Sequence, residues 1–119
     1  MIEAKKLSWN IRRGDSFSAG TFRFISSSGT SFWDNFVVKC QLRSTPDGAL
    51  VHEMDLSDAE VTEEDGDGVL SVPMNITATA TAAFDPGKLV GDFEITSDSL
   101  PKSTVITINA TVYRDVTHA

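Results

Sequence analysis

Arg13-Gly14-Asp15-Ser16 spells the signal that some extracellular matrix proteins show to cell-surface integrins. Further along, Glu63, Asp65 and Asp67, followed by Gly68, imitate the opening of a calcium-binding loop, in which alternate carboxylates ring one cation. Cys40, His52 and His118 supply the thiol and the two imidazoles from which a nucleophile, a base or a transition-metal site would be assembled.

Each of the three has a plainer reading. Integrin recognition requires the tripeptide at the tip of a mobile loop, whereas Arg13-Gly14-Asp15 falls between two stretches of alternating apolar residues. It reads as a turn, in which Gly14 supplies a positive φ and the Asp15 carboxylate caps the next backbone N–H groups. The calcium pattern fails at its twelfth position, where Met74 stands in place of the closing bidentate Glu, so a solvated acidic turn is expected. Cys40 is in phase with Val38 and Leu42 and reads as a small core residue, and no two of Cys40, His52 and His118 lie at metal-ligand spacing. No catalytic residue, metal or cofactor is therefore assigned. Asn75-Ile76-Thr77 and Asn109-Ala110-Thr111 match the glycosylation acceptor pattern, and are read as coincidence.

The elements that would position any site are strands. Leu7, Trp9 and Ile11 alternate along a first strand that stops at Gly14-Asp15, and Phe17 to Ser26 is a second, with Phe22 and Phe24 on one face. After the polar loop Ser26 to Ser31, Val38, Cys40 and Leu42 mark a third strand over 36–44, and Thr45-Pro46-Asp47-Gly48 is a β-turn. Leu50, His52, Met54 and Leu56 alternate again, a short segment at 59–62 leads into the acidic turn, and Leu70, Val72, Met74 and Ile76 follow. Pro73 cannot donate to a ladder, which predicts that this strand is at an edge or bulged. Residues 77–83 read as a connector or a short helical turn. Leu89 to Thr96 and Thr104 to Tyr113 complete the set, the last with Ile106, Ile108, Ala110 and Val112 on one face. Seven to eight short strands with turn signals between them predict an all-β, antiparallel two-layer sandwich of immunoglobulin-like type. A single domain over 1–119, with its core at about 6–117, is expected from the length.

Charge and composition narrow the class. The chain is 40% hydrophobic and 23% charged, as in globular proteins, and its formal charge of −7 argues against a nucleic-acid partner. The charge is polarised. Residues 1–45 carry seven basic groups against three acidic, and residues 46–119 three against fourteen, a distribution suited to head-to-tail docking of copies or to a partner of opposite sign. No apolar run approaches the roughly 18 residues a membrane helix needs, so no membrane insertion is expected. The start, with no apolar block after Lys5 and Lys6, and the lone cysteine predict assembly in a cytoplasm.

Gly14-Asp15 followed by Phe17, Pro86-Gly87 ahead of an acidic strand containing Asp92, and Asp115-Val116-Thr117 near the end occur in an order that resembles a known family. The family comprises the small immunoglobulin-like sandwich domains of tailed-bacteriophage virion proteins, such as baseplate and receptor-binding-protein adaptors and tail or head accessory proteins. The resemblance implies a non-enzymatic virion component assembled in the bacterial host cytoplasm. It would pack in several copies on tail, baseplate or head, or join a fibre to it, its partners being other virion proteins and copies of itself. The alternative is a carbohydrate- or cell-surface-binding module. Trp9, in phase with Leu7 and Ile11, reads as core, whereas Trp33 is a large aromatic in a loop whose burial the pattern does not explain. Trp33, with Phe32 and Phe36, is accordingly the expected partner-binding group.

Overall fold

The computed structural model describes residues 5–114. Alternation of apolar and polar residues drives strand formation along this whole span, giving β1 (Lys5–Arg12), β2 (Phe17–Ser26), β3 (Val37–Arg43), β4 (Leu50–Glu53), β5 (Glu60–Glu64), β6 (Asp67–Ile76), β7 (Gly87–Thr96) and β8 (Ser103–Tyr113). One 3₁₀ turn, Thr30–Trp33, and one short helix, α1 (Ala78–Ala82), complete the described elements. Thr77 caps α1 by accepting a hydrogen bond from the Ala80 N–H, which explains why a run of alanines and threonines bends into a helical turn here.

The strands form two sheets, ordered β1-β8-β7-β3-β4 and β2-β6-β5. This is the immunoglobulin arrangement of a sheet built on the third, sixth and seventh strands of that fold against one built on its second, fifth and fourth. The core lies between the two sheets. Ile11, Leu42, Leu70, Met74, Phe93 and Ile108 are fully buried there. Cys40 and Trp9 join them, as the phase of their strands requires.

One sequence expectation needs correction, and another is decided between its alternatives. The sandwich is not wholly antiparallel, because β1 runs parallel to β8, with Leu7 opposite Ile108 and Ile11 opposite Val112. The chain leaves β1 by a turn into the other sheet, so β1 has no hairpin partner and fills the open edge of β8. Of the two alternatives that Pro73 left open for β6, an edge or a bulge, the bulge is found: β6 lies between β2 and β5, and its ladder to β2 is irregular beside Pro73. The missing N–H is tolerated because β5 pairs with β6 only as far as Ser71, while on the other side Pro73 faces Thr21 at the end of a bulge between Ser18 and Thr21 in β2. A central strand thus behaves locally as an edge.

Candidate functional site

The Arg13-Gly14-Asp15 segment is a braced turn. Its Gly14 has φ 84°, the Asp15 N–H donates to the Arg12 carbonyl at 3.2 Å, and the Arg13 N–H donates to the Tyr113 carbonyl at 3.1 Å. Thr81 of α1, fully buried, accepts from the Gly14 N–H at 3.1 Å and donates to the Asp15 carbonyl at 2.8 Å, while the Arg13 guanidinium donates to the Ala82 carbonyl at 3.0 Å. The brace is therefore the Asp15 main chain, and the capping expected of its carboxylate falls to Thr81. A tripeptide fixed at both flanks is unsuited to the mobile display that integrins require.

The acidic stretch is a tight hairpin. Asp65 and Gly66, at φ 52° and 86°, are the two left-handed residues of the β5–β6 reversal, a conformation that suits Asp-Gly. Glu63 and Glu64 stand on the strand before it, so their side chains point to opposite faces. Glu64 pairs with Arg23 of β2 across the sheet. Among the described residues no three carboxylate, histidine or cysteine groups converge on one point. Burial pushes the Cys40 thiol up to about 12, with the Asp92 charge adding to the effect, so the thiol stays protonated and enclosed. His118 lies outside the described residues, and His52 sits with its ring against Phe84, centroids 5.5 Å apart.

Trp33 is not the exposed anchor expected of it. The 3₁₀ turn carries it inward, where it is buried, and its indole N–H donates to the Gly68 carbonyl at 3.0 Å. The contact depends on a glycine at 68, because a Cβ there would fall on the Gly29 carbonyl and within 2.7 Å of the Thr30 Cα. Phe32 packs edge-on against the indole, centroids 4.8 Å apart and planes at 87°, and its carbonyl accepts a 2.7 Å hydrogen bond from the Ser97 hydroxyl. Phe32 and Phe36 remain half-buried. Of the three predicted residues, Phe32 and Trp33 meet at one site; Phe36 packs against the core elsewhere.

That site is an open groove of about 1210 Å³ between β1 and β2, the facing edges of the two sheets. Leu7 and Trp9 form one wall, and Phe22 and Phe24 the other. Phe32, Ile95, Leu100 and Ile106 close the end and floor. Phe22 and Phe24 both press on Phe93 of β7, with centroids 5.7 and 5.3 Å away, so the sheets are clasped deep in the sandwich while their edges part above it. Sequence reading identified Phe22 and Phe24 as one face of a strand. It missed that this face is only half covered, because coverage depends on where β1 lies in the opposite sheet. Among the described residues the lining includes two cations, Lys5 and Arg23, and no carboxylate.

No family model matches the chain, and no curated protein matches it. Among solved structures it is similar to part of one described by "The details of glycolipid glycan hydrolysis by the structural analysis of a family 123 glycoside hydrolase from Clostridium perfringens". The match covers 95% of this chain and 23% of that one, at 17% sequence identity and a TM-score of 0.42. A likeness of that level bears on neither activity nor substrate.

Proposed function

We propose that this chain is a non-enzymatic docking domain, a structural component of a tailed-phage virion that holds its partner in the groove between β1 and β2. The observation that carries the docking reading is the groove itself. Two sheet edges that pair with no strand among the described residues flank a cleft walled by half-buried Leu7, Phe22, Phe24 and Phe32. Unpaired edges and uncovered aromatic surface are features that association satisfies and solvent does not. The virion setting rests on the resemblance to phage virion domains carried by the order of Gly14-Asp15-Phe17, Pro86-Gly87 and Asp92 along the chain. Against carbohydrate binding stands the burial of both tryptophans, each only 5% exposed, so that neither presents a full indole face to a sugar ring.

The test is association with purified tail, baseplate and head components, followed by sedimentation and by native mass measurement of the free protein. Phe32→Ala, checked for an unchanged circular dichroism spectrum, is expected to weaken association at least tenfold. A wild-type protein that binds no particle component and is instead retained on a glycan surface overturns the reading in favour of the carbohydrate-binding alternative.

A further inference from the structure

We propose that the groove is a strand acceptor: it takes an extended segment of another protein, with apolar side chains at alternate positions and a carboxylate at the end next to Lys5. The proposal rests on the docking reading above and names the kind of partner it needs.

The topology gives the first reason. In the immunoglobulin sandwich of constant type, the layer that holds the second, fifth and fourth strands has four strands, with the first strand of the fold pairing beside the second. Here that layer is β2-β6-β5, and β2 is its edge among the described residues, because β1 pairs with β8 in the other sheet. One strand's width beside β2 lies open, and the groove is what that position looks like from outside. Gly20, at φ 79° within the bulge, interrupts the first half of β2, so the regular acceptor edge is Thr21 to Ser26. Six residues of strand span about 20 Å. A strand added there would turn every second side chain inward, between Phe22 and Phe24 on its own sheet and Leu7 and Trp9 on the opposite one.

Backbone chemistry separates this occupant from a lipid. The groove's rims are β-strand edges whose outward N–H and C=O groups a peptide backbone can pair and an acyl chain cannot. Charge sets the end. Lys5 is in phase with Leu7 and Trp9, lines the groove, and pairs with no carboxylate among the described residues. Arg23 is already engaged by Glu64. On a chain of formal charge −7, a groove lined by cations and, among the described residues, by no carboxylate is a local exception that selects an acidic partner.

The experiment uses the full chain and three fluorescent probes. These are a ten-residue peptide alternating valine and threonine with glutamate at both ends, the same peptide with lysine at both ends, and dodecanoate. Anisotropy titrations are expected to show the glutamate peptide binding at least tenfold more tightly than the lysine peptide. Lys5→Glu, at an exposed position, should reverse that order without changing the melting temperature. Hydrogen exchange should slow on binding across residues 21–26, which marks strand pairing rather than simple burial. The proposal is overturned if neither peptide binds, if binding leaves residues 21–26 unprotected, or if dodecanoate alone binds. It is likewise overturned if the groove is instead used by a second copy, seen as self-association lost in Lys5→Glu. Binding of particle components without binding of either peptide leaves the docking reading standing and removes only the strand acceptor.

Discussion

The rings of Phe24 and Phe93 stack at 5.3 Å with their planes 23° apart, joining β2 of the smaller sheet to β7 of the larger. These are the two strands that antibody domains join by a disulfide. In this chain, whose one cysteine is buried on β3, an aromatic clasp occupies the corresponding place, completed by Phe22 edge-on to Phe93. The clasp brings the sheets together on one side, and the groove opens above it.

Phe93 is fully buried, whereas Phe22 and Phe24 each keep part of their surface on the groove. Phe93→Ala is therefore expected to cost about 3–5 kcal/mol in urea denaturation, the usual range for a buried aromatic. Phe24→Ala should cost less. A double-mutant cycle should return a coupling of about 0.5–1.5 kcal/mol for the stacked pair. Additive losses would mean the rings are neighbours without being partners.

Trp33 is predicted to act on stability and only indirectly on binding. Trp33→Phe keeps most of the packing but leaves the Gly68 carbonyl without its donor, an expected loss of about 1–3 kcal/mol. Trp33→Ala should lose about 3–5 kcal/mol. Lowering the temperature until each variant is fully folded should restore partner association. If association stays lost in a folded Trp33→Phe, the indole does touch the partner.

Stability should fall with pH in two separate windows. Burial beside Phe84 lowers the His52 pKa from its ordinary 6.5, so as pH falls the unfolded chain takes up the proton first. Above that value the histidine does not distinguish the two states; below it, protonation favours unfolding. Thermal melts should therefore show a decline that begins near pH 6.5 and is absent in His52→Gln. Asp55 behaves in the opposite sense of charge. Hydrogen bonds from the Ser57 hydroxyl and N–H lower its pKa below the ordinary 3.8, so its contribution is present above that value and is lost only as pH falls further. A single decline, unaffected by His52→Gln, would refute the assignment.

Cys40 should report global unfolding. A thiol whose pKa is raised to about 12 and which has no exposed surface offers almost no thiolate at pH 8. Labelling by a thiol-specific disulfide reagent is expected to be negligible in the native protein and to rise along the same urea curve as the circular dichroism signal. Rapid labelling of the native state would show that the β3–β7 pairing opens locally.

Local periodicity was enough to locate most of the strands. In β7, β8 and the second half of β2 every second residue faces one side, and a period of two leaves little choice of conformation. The same argument placed Trp9, Cys40 and the alternate residues of β8 in the core, and the acidic stretch was legible as a turn, although its Asp65-Gly66 hairpin geometry was not read from it. β5 was visible only as a short segment at 59–62, since its glutamates blur the alternation.

Tertiary structure decided everything that depends on which strand lies beside which. The parallel union of β1 with β8 joins residues about a hundred positions apart, and nothing in either segment specifies the direction of the other. Pro73 sits in a central strand because β5 ends and β2 bulges at the same level, a coincidence of three strands that no single one displays. Trp33 is buried because a carbonyl 35 residues away meets its N–H, and Gly68 leaves room for the approach. The groove follows from the same cause: alternation tells a side chain which face of its strand to occupy, but whether that face is covered depends on long-range pairing. By pairing with β8, β1 leaves the edge of β2 open.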